Sequence, residues 1–171
     1  MSTLNKSIVT ADPGKQELFI TRDFGAPRDL VFKAFTDPKL YARWLGPRGY
    51  KMSIRKFEPR SGGSWRYIHT DTAGKNHGFH GIFHDVAAPE RIIDTFEYEG
   101  LPEMGHTSLE TVKFESLPDG RTRVSTQSVF QSVADRDAML ESGMERGVTE
   151  SHERLDEVLA KLQKKVLHAQ V

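Results

Sequence analysis

The chain has 171 residues and balances 24 Lys and Arg against 24 Asp and Glu, so no basic field draws in a phosphate backbone, and nucleic acid is not an expected partner. It has no cysteine, which excludes a disulfide framework, a thiol nucleophile and a Cys-based zinc site. The length suits one domain that buries roughly two-thirds of its unfolded surface.

Residues 1–15 end in Asp12-Pro13-Gly14 and read as a flexible leader without the apolar stretch of a signal peptide. No apolar run approaches the length that spans a bilayer. A cytoplasmic protein with no membrane partner is expected. A single domain is expected over 16–164, with 165–171 as a fraying tail.

QELFITRDF predicts a first strand over 16–24. Leu18, Ile20 and Phe24 share one face of it, and Arg22 interrupts that face. In GAPRDLVFKAFTDP, Pro27 suits a first helical turn, and Asp29 lies near the positive end of that helix. Leu30, Val31, Ala34 and Phe35 have helical spacing, and Asp37-Pro38 stops the run. KLYARWL adds one more short helix, closed by Gly46-Pro47, which puts Trp44 at the end of a helical hairpin.

From 50 to 130 the pattern changes to six short extended runs separated by turns: YKMSIRKFEP, GGSWRYIHT, KNHGFHGIFHDV, RIIDTFEYE, TSLETVKFES and RTRVSTQSVFQ. Leu117-Pro118-Asp119-Gly120 is the strongest hairpin turn among them. Sequential strands with short links predict a curved antiparallel sheet of about seven strands with one face covered. The cover is a proline-free amphipathic stretch from Ala134 to about Val166, begun or capped by Asp135. Read as one helix of about 30 residues, it is about 45 Å long. The fold class is therefore α+β, with two short helices after the first strand and a gap between the sheet and the long helix.

The wording of the chain resembles the family built around the C-terminal domain of the activator of Hsp90 ATPase. That family lies within the START-like or Bet v 1-like (SRPBCC) superfamily, whose architecture is the helix-grip fold. The resemblance rests on TRDFGAPRDLVFKAFTDPKLYARWLGP (21–47), RSGGSWRY (60–67), APERIIDTFEYEG (88–100), DGRTRVSTQSVF (119–130) and GMERGVTESHERLDEVL (143–159). These five stretches, in order, run from residue 21 to residue 159, and the resemblance extends over residues 16 to 162. Two positions depart from the family's wording. Leu45 stands where relatives often carry a second tryptophan, and Val148 follows Gly147 where they often carry Gly-Trp. The resemblance implies a cavity that takes a small apolar or aromatic ligand. It also implies a protein-interaction role related to Hsp90 or stress as an alternative. A cyclase, isomerase or hydrolase using the same cavity is a third reading.

The expected ligand-binding residues are Phe24, Trp44, Trp65, Tyr67, Phe96, Met144, Val148 and His152. Trp65 and Tyr67 alternate after Gly62-Gly63, so a strand puts both rings on one face. Phe96 and Tyr98 share a face, as do Val112 and Phe114, and Phe79 and Phe83. Met144 and Gly147 belong to the first turns of the long helix, where methionine adapts to irregular neighbours. His152 falls on or beside the buried stripe, while Glu150, Glu153 and Arg154 are expected to face solvent. In an enzyme, His152 and Arg22 are the catalytic candidates, with Tyr67 or an acid beside them. Each of these residues also has an ordinary place in a core.

His77, His80 and His84 do not form a metal run. His77 and His80 fall on opposite strand faces, and His80 and His84 are about 13 Å apart, while a metal needs ligands about 2 Å away. No GxSxG elbow, GxGxxG or Walker A loop is present. Neither a metal nor a cofactor is expected. The assembly is a monomer or a homodimer, with the strand over 16–24 as an edge available for pairing.

Overall fold

The computed structural model describes residues 5–170. Residues 1–4 of the expected leader and residue 171 of the expected tail lie outside the described residues.

An eight-stranded, wholly antiparallel sheet is gripped by helices on its concave side. The strands are β1 (Ile8–Thr10), β2 (Glu17–Phe24), β3 (Lys51–Phe57), β4 (Ser64–Thr70), β5 (Asn76–Ala87), β6 (Arg91–Tyr98), β7 (Thr107–Ser116) and β8 (Thr122–Val129). Their order is β1-β2-β8-β7-β6-β5-β4-β3. Sequential neighbours pair from β3 to β8, and β8 then returns to lie against β2. Register irregularities between Ile54 and Lys56 and between Phe83 and Asp85 bend the sheet. This is the expected helix-grip fold.

The additional strand comes from the expected leader. Ile8–Thr10 pairs with β2 through Ile8–Thr21, Val9–Ile20 and Thr10–Phe19. Three β-branched residues favour extended backbone, but three residues are too few to show a period. The strand over 16–24 is therefore not an edge.

Helices α1 (Arg28–Thr36) and α2 (Pro38–Trp44) form the hairpin. Asp37 ends the first and caps the second, accepting from the Lys39 and Leu40 amides. The expected 30-residue helix is two helices, α3 (Val133–Glu141) and α4 (Met144–His168). Gly143, at φ +82°, makes the break; a left-handed backbone ends a helix and suits glycine. Ser132, not Asp135, caps α3, accepting from the Asp135 amide. The remaining helix of 25 residues is about 37 Å long, and it continues through residues expected to fray.

Strand alternation puts Leu18, Phe24, Trp65, Tyr67, Phe83, Ile92, Val112, Phe114 and Val124 inside, where all are buried. Leu155, Val158 and Leu159 come down on them from α4, and Val31, Phe32, Leu40 and Trp44 from the hairpin. The backbone of α4 runs closest to α1, α2 and α3, and its Leu155, Val158 and Leu159 side chains share one core with the sheet.

Candidate ligand site on the concave face

The end of α2 is tied to α4. Ser151 Oγ accepts from the Gly46 amide at 2.8 Å, and Arg154 donates to the carbonyls of Arg43 (2.8 Å) and Gly46 (2.9 Å). Arg154 is thus a clamp, not the solvent-facing residue expected. Glu150 is drawn in as well, accepting from the Arg48 amide and from Arg146. Glu153 is exposed, as expected.

Trp44 is sealed at 3% exposure. Its Nε1 donates to the Ala34 carbonyl at 2.8 Å, and its ring packs on Phe35 (4.6 Å) and Tyr41 (5.4 Å). Leu45, beside it, is half-buried against the same cluster.

On the β2 side, Phe24 is fully buried and meets His152 edge-on at 5.3 Å. Ser7 Oγ lies 2.7 Å from His152 Nδ1. Burial, then the nearby Arg22 charge, pushes the His152 imidazole down to about 3, so it is neutral at physiological pH. Arg22 pairs with Asp156 on α4.

On the β4–β7 side the concave face has a different chemistry. Trp65 and Tyr67 stack at 5.2 Å, and Phe79 and Phe96 continue the wall. The Trp65 indole lies across Gly81. A β-carbon there would come within 2.7 Å of the ring and 1.8 Å of the Thr95 carbonyl. Trp65 Nε1 donates to Asp94 Oδ2 at 3.1 Å. Asp94 is directly opposite Glu110 in the β6–β7 register, and Glu110 is opposite Ser128 on β8. Ser108 and Ser128 both donate to Glu110.

This row of polar groups crosses the middle of the concave face. Burial, reinforced by the Glu110 charge, pushes the Asp94 carboxyl up to about 8. Burial also raises Glu110, against the two serine hydrogen bonds. The Tyr41 and Tyr67 phenols are raised by burial and by both carboxylates. Among the described residues, the sealed side-chain polar atoms without a partner are Arg22 Nε, His69 Nε2 and Arg121 Nη1. The two phenols and Asp94 Oδ1 are not among them, although no protein group bonds them. They are neither bonded to a protein group nor fully sealed.

These contacts settle where the sequence-predicted residues lie. Arg22, Phe24 and His152 form one group, and Trp65, Tyr67 and Phe96 form another. Strands β8, β7, β6 and β5 separate β2 from β4. Tyr41 links Trp44 to the second group, at 6.2 Å from Tyr67. Met144 and Val148 are half-buried on the first turns of α4. A shallow cleft of about 230 Å³ between α2 and the end of α4 is lined by Leu40, Arg43, Val158 and lysines, and contains none of the predicted residues.

A family model described as Activator of Hsp90 ATPase homolog 1-like protein matches residues 25–160. The chain belongs to this family. Its fold is shared by proteins of known structure from several bacteria. One from Arthrobacter aurescens is 27% identical, with a TM-score of 0.81 over 90% of this chain and 91% of the other. One from Rhodobacter sphaeroides is 28% identical, with a TM-score of 0.80 over 90% and 98%. A Silicibacter pomeroyi protein described as AHSA1 shares the fold at 20% identity, with a TM-score of 0.70 over 84% and 97%. No curated protein matches the chain.

Within this Hsp90-activator-homolog-like domain, the sequence reading missed Asp94, Glu110, Ser108, Ser128 and Tyr41. The signal was available. Phe96 and Tyr98 share a face with Asp94, two and four residues before them. Val112 and Phe114 share a face with Glu110 in the same way. The three histidines of 77–84 behave as expected of hydrogen-bonded or exposed groups. His77 lies 3.0 Å from Asp71, His80 is held by Glu97 and Glu99, and His84 is exposed. Among the described residues no cluster of three or more acids and histidines could hold a metal, and no helix is long and apolar enough to cross a membrane.

Proposed function

We propose that this protein is a noncatalytic binding module for a small, largely aromatic or apolar molecule. The molecule lies between the concave face of the sheet and α4, against Trp65, Tyr67 and Phe96. The observation that carries this reading is the run of packed rings on the inward face of the sheet, Trp65, Tyr67, Phe79 and Phe96, with the Asp94 carboxyl bonded at its edge by the Trp65 indole. Apolar area removed from water there contributes about 25 cal/mol per Å². A few polar groups then fix orientation. The opposite half, around Phe24 and Trp44, is sealed by side chains and serves as the support. Membership of the family and the helix-grip architecture favour the same location.

Calorimetric titration with a panel of neutral aromatic alcohols tests this. Saturable binding is expected, weakened by Tyr67→Ala and unaffected by Arg123→Ala on the convex face. Absence of saturable binding across the panel, with an interior filled by side chains in a high-resolution structure, would falsify it.

A further inference from the structure

We infer that the bound molecule carries an organic cation, an aromatic or alkyl amine whose ammonium group lies against Asp94 and Glu110 within the rings of Trp65, Tyr67, Phe79 and Phe96. This rests on the ligand-binding reading above and adds the ligand's chemical class.

The first support is charge. Asp94 and Glu110 are cross-strand neighbours on the concave face. Among the described residues, no Lys, Arg or His pairs with either, although eighteen such contacts occur elsewhere, from Arg22–Asp156 to Arg146–Glu150. Two carboxyl groups side by side without a counter-ion are costly to ionise. A cation delivered by a ligand removes that cost. The two serines satisfy Glu110, and Trp65 satisfies one oxygen of Asp94. The second Asp94 oxygen has no protein partner and remains open to an N–H donor.

The second support is a hydroxyl group beside the acids. Tyr67 is 4% exposed, and no protein group bonds its hydroxyl. Its ring stacks at 5.2 Å on Trp65, whose indole N–H is bonded to Asp94, so it borders the same place. An unpartnered buried hydroxyl needs a bonding partner, and a phenol oxygen can accept from an ammonium. Tyr41 supplies a second hydroxyl in the same field.

The third support is the shape of the wall. Trp65 and Tyr67 stack at 15°, and Tyr67, Phe79 and Phe96 follow at 5.3 and 5.4 Å. Aromatic faces attract ammonium groups, tryptophan most strongly, and the attraction grows when water is excluded. A hydrated divalent metal is a poor fit here, because it asks for six or more oxygen ligands and gains nothing from rings.

Calorimetry with 2-phenylethylamine and its neutral counterpart 2-phenylethanol separates the possibilities. In the unmodified protein, the amine is expected to bind at least about tenfold tighter than the alcohol. Asp94→Asn keeps an oxygen for the Trp65 N–H, and it should bring the two affinities together. Glu110→Gln should narrow the gap in the same direction. Equal or tighter binding of the alcohol overturns the cation and leaves the ligand-binding reading intact. An amine preference that survives both substitutions places the cation elsewhere and overturns the site. Binding of neither probe removes both readings.

Discussion

The two halves of the concave face are built from the same material and end differently. Around Phe24, Phe32, Phe114 and Leu155 the interior is closed: apolar side chains pack together, and the polar ones among them, Arg22, Thr122 and His152, are met by Asp156, the Ala26 carbonyl and Ser7. Phe114 touches Phe32 at 5.1 Å and Phe35 at 5.0 Å. Around Asp94, the same alternation delivers two acids, two serines and the Tyr67 phenol to the same side of the sheet, and α2 adds the Tyr41 phenol. Strand geometry decides only which residues point inward. The side chains at two positions, 94 and 110, decide whether the inside is a core or a site. A sheet can therefore carry support and binding surface side by side without any change of backbone.

The largest effect should separate the halves by stability. Phe114→Ala opens a void in the closed half and should cost about 3–5 kcal/mol in denaturant unfolding. If the loss is below about 1 kcal/mol, that half is not the packed support described.

Asp94→Asn should act in the opposite direction. The native protein holds a proton on Asp94 up to about pH 8, whereas the unfolded chain releases it near pH 4. The native state thus binds more protons across that window. The contribution is complete below about pH 4 and is lost as pH rises through about 8. Glu110, raised in the same direction, adds to the slope. The variant escapes this loss. It should match the parent near pH 4 and exceed it by about 2–4 kcal/mol at pH 8.5. Parallel stability curves for the two proteins would show that Asp94 is ionised throughout.

Ser151→Ala removes the acceptor for the Gly46 amide and should cost about 1–2 kcal/mol. Because it unties α2 from α4, it should also raise hydrogen exchange at Gly46 more than at Asp94. Equal effects at the two places would mean that the clamp supports the whole interior. The smallest effect belongs to the convex face. Arg123→Ala breaks an exposed pair with Asp23 and should leave the melting midpoint unchanged within error. A clear drop there would weaken the contrast drawn between inside and outside.

The fold was legible because its signals are long and repeated. Six alternating runs, a proline-bounded hairpin and a proline-free amphipathic stretch each extend over many residues. The exceptions have local causes. Ile8–Thr10 is too short to show a period, and Gly143 reads as one more helical glycine until its backbone turns left-handed. Arg154 looks like a surface charge, yet carbonyls freed at the end of α2 capture it. The site was half legible. Trp65, Tyr67 and Phe96 follow from strand alternation. Asp94 and Glu110 obey the same alternation, but an acid ordinarily marks the solvent side, and only the β6–β7 register puts the two together.

One contact has a practical consequence. The chain has two tryptophans. Trp44 is sealed against a backbone carbonyl, and Trp65 shares a hydrogen bond with the carboxyl group of Asp94. Their fluorescence is thus a matched pair of signals. The emission of Trp44 is a steady reference, while that of Trp65 follows the ionisation of Asp94. Replacing either indole by phenylalanine separates the two, so the protein carries its own optical titrator of the site.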